Sequence, residues 1–390
     1  MPGGSTIGPI TGLLADLIRI DSVNPGLVPG SPGEEAIVAL LRERLTASGW
    51  HTKIIEAMLA PGRPSLVAHP SDLDPDRPVI VLNGHLDTVG VEGMTHPFDP
   101  RVDGERMVGR GTCDMLGGVA ALILAAEQAA RHGAPVVLAL VADEEDRSLG
   151  AEAVLAALPE LGIRPEVCLV AEPTWLRRCT SLRGYAVAEV VFTGRASHTS
   201  LPDEGVNAVS HLARFVTAID ARATEVRARG GELLVSVAGG GRAPFSIPDT
   251  ARATVERRTA PGEPPDAIVD DVEAVLDALR AADAKVSARH TLRIARPAWE
   301  LDADGPAGKF ADRLETELAS RGVAGAESFA APYWMEAALW EASGIPSLVC
   351  GPAGGGLHSA DEWVDLRQVA AFAQALTATL IGWSGAADQA

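Results

Sequence analysis

The sequence predicts an α/β fold: a doubly wound, mainly parallel sheet in one domain, with a second, α+β segment inserted into it. Three observations carry that reading. Short apolar, β-branched runs alternate with helical stretches between residues 79 and 173. Those runs end in polar clusters, Gly84-His85-Leu86-Asp87, Asp143-Glu144-Glu145 and Ala171-Glu172-Pro173, where such a sheet gathers its ligands. The rhythm then breaks near Arg183 and resumes beyond about Arg293. The expected division is therefore 1–180 with 293–390 as one split domain, around an insertion over 181–292.

Each element has its own signal. Gly8 to Ile20 and Gly33 to Ser48 repeat Leu, Ile and Val at helical spacing on either side of the turn-rich stretch Asp21 to Pro32. Val79-Ile80-Val81-Leu82-Asn83 reads as a buried strand. Asp114 precedes an Ala/Leu-rich helix reaching Arg131, and Val136 to Val141 follows as a strand. Ala151 to Leu158 reads as helix and Val167 to Val170 as strand. Within the insertion, Ala186 to Phe192, Leu233 to Val237 and Thr250 to Arg257 read as strands, and Gly205 to Arg222 and Pro264 to Ala282 as helices. Helices Gly308 to Arg321 and Trp334 to Ser343 and strand Ser347 to Cys350 return to the first pattern.

Composition narrows the function. With 33 basic against 52 acidic residues and a formal charge of −19, the surface repels phosphate backbones and anionic lipid, so neither a nucleic-acid nor a membrane partner is expected. The longest apolar runs, Val119 to Ala126 and Val136 to Ala142, fall short of the ~20 residues that span a bilayer. Met1 to Ile10 shows no basic segment followed by an apolar core, so no secretory leader is expected. Cys113, Cys168, Cys179 and Cys350 form no CxxC pair, which suits reduced thiols and a cytoplasmic setting.

His85, Asp87, Asp114, Glu144, Glu145, Glu172 and His358 form the set that carries chemistry. From 85 to 172 they recur about every 30 residues, roughly one βαβ period, which is expected to bring successive strand ends to one rim. Carboxylates packed together would repel and protonate, whereas divalent cations neutralise them. His with Asp/Glu and no Cys suits zinc or a similar first-row ion in a hydrolytic role. Seven candidate groups exceed the needs of one ion and imply two, with one bridging carboxylate and one left as general base. GxSxG, HExxH and complete GxGxxG motifs are absent from the sequence, which removes serine-hydrolase, gluzincin and dinucleotide-dependent readings.

Five segments, Asn83-Gly84-His85-Leu86-Asp87-Thr88-Val89, Gly109-Arg110-Gly111-Thr112-Cys113-Asp114-Met115, Asp143-Glu144-Glu145, Ala171-Glu172-Pro173-Thr174 and the late His358, occur in the order of the metal-site motifs of the M20 metallopeptidases. By them the chain resembles the superfamily of acetylornithine deacetylase, succinyl-diaminopimelate desuccinylase and carboxypeptidase G2, over nearly its whole length. The resemblance implies two Zn2+ per subunit, with Co2+ or Mn2+ as possible substitutes. Asp114 would bridge them, His85 and Glu172 would complete one site, and Glu145 and His358 the other. Asp87 would accept the second ring N–H of His85, Glu144 would act as general base, and the Asp114–Met115 peptide would be cis.

The same resemblance makes the insertion a lid and dimerisation domain. Gly194-Arg195-Ala196-Ser197-His198 and Gly205-Val206-Asn207-Ala208 are similar to the family's lid motif. His198 would stabilise the oxyanion in a neighbouring subunit's site, and Asn207 and Arg258 would contact substrate, Arg258 through its carboxylate. Arg257 is the competing candidate for that contact. Three positions depart from the family pattern: Leu116 replaces a common Lys, Phe245 a common Asn, and Glu336 a frequent Asp. Exchange of Lys and Asn for Leu and Phe suggests a more apolar substrate pocket. His51, His69, His96, His132, His211 and His290 are read as ordinary histidines, and Cys113 as packing rather than nucleophile. The expected activity is an amidohydrolase acting on an N-acyl amino acid or related small molecule, as a homodimer. The alternatives are a carboxypeptidase or dipeptidase of the same family and a scaffold without catalysis, which would have no use for Glu144.

Overall fold

The computed structural model describes residues 7–323 and 327–383; the leader reading of Met1 to Thr6 and the last residues of the expected first domain lie outside them. The described chain divides into two compact units, one built from the segments up to Thr180, Leu301–Ala330 and from Met335 on, the other from Ser181–Glu300 and Ala331–Trp334. The second unit thus runs past the expected limit of 292, because the strand Ala288–Arg296 pairs along its whole length with Gly184–Thr193.

The first unit is built on a six-stranded sheet in the order Trp50–Glu56, Pro64–Pro70, Val136–Val141, Val79–His85, Pro165–Val170, Ser347–Val349. The last four are mutually parallel, and Pro64–Pro70 runs against its neighbours. Every residue of Val79–His85 and Val136–Val141 is buried, as strands covered on both faces must be. Fully burying one such Val or Leu contributes roughly 1.5–3 kcal/mol, which offsets the cost of holding charged groups at the strand ends. The two strands that the sequence reading omits, Trp50–Glu56 and Pro64–Pro70, form the antiparallel side of the sheet. In the first of them only Trp50 is buried and the other residues are half-buried or exposed, the pattern of an edge rather than of a continuous apolar run.

The helix Gly117–Ala130 packs on this sheet and against the C-terminal helix Leu366–Ile381. Thr112–Ala130 as a whole, 19 residues, is apolar and long enough to match a membrane span by composition, contrary to the shorter run read from the sequence. Asp114 and Met115 have non-helical backbone angles, so the regular helix has 14 residues and a length of only ~21 Å. Its residues Val119 to Ile123 are fully buried, which makes it a core helix. Glycines allow its start to approach the sheet closely. A Cβ at Gly118 would collide with the carbonyl oxygen of Ala171, and a Cβ at Gly351 would collide with the same oxygen.

The second unit is a four-stranded antiparallel sheet in the order Glu232–Gly240, Thr250–Thr259, Gly184–Thr193, Ala288–Arg296. Gly184–Thr193 alternates buried and half-buried residues, so one face meets the helices Ala208–Ala228 and Ala267–Ala282. Phe192, Phe215, Ile219, Ile268, Val272 and Leu276 form that core, with the Phe192 and Phe215 rings edge to face at 5.4 Å.

Candidate metal centre

Three adjacent parallel strands deliver four of the expected side chains. His85 ends Val79–His85, Glu144 and Glu145 follow Val136–Val141 after two residues, and Glu172 follows Pro165–Val170 after one. Asp114 arrives differently. It is not at a strand end but in the turn before Gly117–Ala130, where the Asp114–Met115 peptide is cis. The interval from 85 to 114 contains two short strands, Arg101–Asp103 and Arg106–Val108, so its match to a βαβ period is coincidental. His358 lies between Gly354–Gly355 and Trp363–Asp365, in left-handed backbone at φ 56°.

These residues converge on two adjoining groups of donors, His85 with Asp114 and Glu172, and Asp114 with Glu145 and His358; within each, the ligand atoms lie within 4.8 Å of one another. Asp114 belongs to both. Its Oδ1 is 3.1 Å from His85 Nε2 and its Oδ2 is 3.3 Å from His358 Nε2. His358 Nε2 is 3.2 Å from Glu145 Oε2, and His85 Nε2 is 3.7 Å from Glu172 Oε1 and 4.0 Å from Glu144 Oε2. Glu145 Oε1 is buried without a hydrogen-bond partner among the described residues, a costly arrangement for a carboxylate unless a cation takes it. Imidazole and carboxylate donors, one carboxylate shared and one buried oxygen unclaimed, fit a pair of divalent cations.

The electrostatics of the bare protein point the same way. Burial, reinforced by Glu172 and Glu145, pushes Glu144 well above the usual carboxylate range, and burial with Asp114 does the same to Glu172. Glu145 is also raised, first by burial and then by Asp114. Hydrogen bonds to Asp114 and Glu145 push His358 up to about 10. Complete burial alone would lower His85, yet Asp114, Glu172, Glu144 and Asp87 together raise it well above the imidazole range. Protons thus stand in for positive charge that the donor set demands.

Asp87 has a different task from the expected one. The Nδ1 of His85 meets the backbone carbonyl of Asp87 at 2.9 Å, whereas the nearer carboxylate oxygen is 3.7 Å away. That carboxylate instead accepts the backbone N–H groups of Glu144 and Glu145, each at 3.1 Å, and the Asn24 side-chain amide at 2.7 Å. Asp87 therefore orients His85 through its main chain and the two glutamates through its side chain.

Several buried partners escape the sequence reading. Arg63 pairs with Glu34 and Asp143, and Arg110 with Glu362. Glu362 also accepts the N–H groups of Gly111, Cys113 and Asp114. Its place four residues after His358 is the one signal that could have singled it out, and it does not separate a buried acid from a solvated one. Leu116 is 1% exposed, so the expectation that it faces substrate is wrong; its side chain packs beside Gly111. Glu336 is likewise buried. The Cys113 thiol is pushed up to about 12, first by burial and then by Asp114, which keeps it from acting as a nucleophile.

The second unit holds the remaining candidates. His198 is exposed and its Nδ1 lies 2.7 Å from Ser200 Oγ. Phe245 is 75% exposed, has φ 66°, and its carbonyl accepts the N–H of Thr199 at 3.2 Å, so it stands beside the His198 loop. Asn207 caps the helix Ala208–Ala228, with Oδ1 accepting from Val209 and Ser210; that oxygen is committed to the fold, not to a substrate. Arg257 is buried between Asp271 and Glu263, at 2.9 and 2.8 Å, which removes it as the substrate-facing arginine. Half-buried Arg258 holds its guanidinium 5.3 Å from the centre of the Tyr185 ring. His211 and His290 meet Asp283 and Glu273.

Comparison with known proteins adds an independent line. The model of peptidase family M20/M25/M40 matches residues 81–381. The chain is 30% identical over 384 residues to an N-acetyl-L-citrulline deacetylase from Xanthomonas campestris pv. campestris, covering 95% of this chain and 96% of that protein. It is 28% identical over 282 residues to an acetylornithine deacetylase from Myxococcus xanthus, covering 69% and 72%. Among solved structures, a tripeptidase from Staphylococcus aureus superposes with a TM-score of 0.75 at 19% identity, covering 96% of this chain and 97% of the other. An M20 family metallo-carboxypeptidase from Sulfolobus solfataricus gives 0.74 at 14% identity, covering 95% and 98%.

Proposed function

We propose that this chain, which belongs to peptidase family M20/M25/M40, is a two-metal deacylase that releases a free amino acid from its N-acyl derivative. Its class is that of a hydrolase of amide bonds. The observation that carries the finer reading is the division of Asp114 between two donor groups, one oxygen toward His85 and the other toward His358. The near full-length likeness to a deacetylase of an N-acetyl amino acid supports the substrate class.

In this reading His85, Asp114 and Glu172 hold one cation and Asp114, Glu145 and His358 the other. We propose zinc, with Co2+ or Mn2+ as substitutes, since the donors include imidazole and no thiolate. When bound, the pair supplies the Lewis acidity that makes water nucleophilic near neutral pH and polarises a carbonyl. Glu144 carries the proton: its carboxylate accepts one from the attacking water as the O–C bond forms, and returns it to the nitrogen as the C–N bond breaks. Its burial suits it to hold that proton between the two events. Arg258, with Arg257 consumed by Asp271 and Glu263, receives the substrate carboxylate, and His198 of a second copy donates to the developing oxyanion. The second unit would then be the lid and the dimerisation surface. Leu234, Val237 and Leu292, exposed on its two edge strands, favour such self-association. The four cysteines are buried free thiols, which supports a cytoplasmic setting.

The test is a mass-spectrometric panel. Zinc-loaded protein is incubated with N-acetyl, N-succinyl and N-formyl amino acids and with dipeptides. Release of free amino acid from an N-acyl substrate, abolished in Glu144→Gln, is the expected result. Cleavage of dipeptides alone would replace the deacylase with a peptidase.

A further inference from the structure

Next to the candidate metal donors lies a buried charged cluster of Arg63, Glu34, Asp143 and Asn24 with no role in the proposed reaction. Asp143 directly precedes Glu144 and adopts left-handed backbone at φ 68°, a conformation that aspartate enters more readily than most residues and that three contacts hold here. Its Oδ1 accepts from Arg63 Nη1 at 3.0 Å and from Asn24 Nδ2 at 3.3 Å, and its backbone N–H donates to Glu34 Oε1 at 3.2 Å. Arg63 in turn grips Glu34 with both Nε, at 2.6 Å, and Nη2. One guanidinium thus ties together Glu34, at the start of the helix Glu35–Ala47, and the residue before the general base. Glu34, Asp143, Asn24 and Asp87 are fully buried and Arg63 is 7% exposed.

We propose that Arg63 is a positioning residue: acting through Glu34 and Asp143, it sets where Glu144 and Glu145 stand relative to the other metal donors. The cluster and Asp87 hold one short segment from two sides. Asp87 fixes the amides of Glu144 and Glu145, and Arg63 fixes the residue immediately before them. Without the guanidinium, the carboxylates of Glu34, Asp143 and Asp87 would be left facing one another, and their repulsion would spread the segment. The planar fork is needed because it reaches both oxygens of Glu34 and one of Asp143 at once, which the single ammonium of Lys cannot do. Arg63 touches none of the donor atoms itself. This inference rests on the reading of Glu144 as proton carrier and Glu145 as ligand.

The experiment uses full-length Arg63→Lys and Glu34→Gln, with Co2+ as the binding probe and the best N-acyl amino acid of the panel as substrate. Arg63→Lys is expected to lower kcat at least about ten-fold with KM within about two-fold. Of two Co2+ equivalents titrated into metal-free protein, one should weaken about ten-fold and the other stay within about two-fold, since only Glu145 among the donors moves. In a Glu144→Gln background at saturating Co2+, where the weaker equivalent is filled, Arg63→Lys should reduce residual turnover by less than about two-fold, because the effect on Glu144 is already removed. Glu34→Gln should show the same pattern in milder form and stands alone if Arg63→Lys does not fold. Wild-type kcat and both wild-type Co2+ affinities in Arg63→Lys and Glu34→Gln would overturn the inference. So would equal weakening of both Co2+ equivalents, the mark of general damage. Full turnover in Glu144→Gln by itself would instead overturn the reading of Glu144, and the inference with it.

Discussion

Glu362 Oε1 accepts the backbone N–H of Asp114 at 3.1 Å. The same carboxylate holds Cys113 N at 2.8 Å, Gly111 N at 2.9 Å and the Arg110 guanidinium at 2.7 Å. The loop that carries His358 is thereby fastened to the turn that carries the shared Asp114, so the two ends of one donor group are fixed by a contact outside it. Glu362→Ala leaves Arg110, 3% exposed, as an unpaired buried charge, at a cost of about 3–5 kcal/mol. Urea unfolding of the metal-free protein should show that loss, and Glu362→Gln, which keeps an acceptor, should lose less.

Glu144→Gln keeps the shape of the side chain and removes its proton chemistry. Turnover should fall by about 10²–10⁴-fold, while inductively coupled plasma analysis finds the wild-type metal content, because Glu144 belongs to neither donor group. A variant that loses metal along with activity would assign Glu144 to ligation.

Metal removal has a proton signature. In metal-free protein His358, pushed up to about 10 by Asp114 and Glu145, is protonated at pH 8, and a cation must displace that proton to reach Nε2. Affinity should therefore rise with pH until about 10, and calorimetric titration in two buffers of different ionisation enthalpy should detect proton release. Chelation should abolish turnover and lower the melting temperature, with recovery on adding Zn2+ or Co2+.

The second unit should show its own pH dependence. Burial alone would raise Glu263, but the hydrogen bonds from Arg257 and from the N–H of Ala260 outweigh it and hold the carboxyl below its usual value of 4.5. Its pairing then contributes stability above about pH 4.5, lost as the pH falls through the lower folded-state value. Glu263→Gln should cost roughly 1–3 kcal/mol at pH 7, and the gap between variant and wild type should close on acidification, as read by urea unfolding at pH 7, 5 and 3.

Phe245, exposed beside the His198 loop, should select for apolar substrates. Phe245→Asn is expected to lower kcat/KM for N-acyl amino acids with aliphatic or aromatic groups about ten-fold, while N-acetyl-citrulline changes by less than about two-fold. Equal effects on both would detach this residue from specificity.

The parts of the fold that could be read from the chain were those with one-dimensional signals. Val79–His85 and Val136–Val141 are unbroken apolar runs because both faces are covered, and the polar residues that end them stand out against that background. Asp87 stands out in the sequence, but its hydrogen bonds divide between carbonyl and carboxylate in a way no motif encodes. Arg63, Glu34 and Asn24 were invisible, since each lies in an ordinary loop or helix start and becomes special only through partners up to 119 positions away. Leu116 misleads for the opposite reason: two residues after the candidate donor Asp114, it is turned into the interior by the helix that starts at Gly117.

The carbonyl of Ala171 lies against Gly118 and Gly351, with room for a side chain on neither. Since Ala171 adjoins Glu172, the seat of that donor is set by main chain pressed on main chain. In the two-metal reading, a change of cation radius is accordingly taken up by rotation of the Glu172 side chain, not by movement of its backbone. A methyl group added at residue 118 would act as a wedge against Ala171, displacing Glu172 from a point that touches none of the donor atoms.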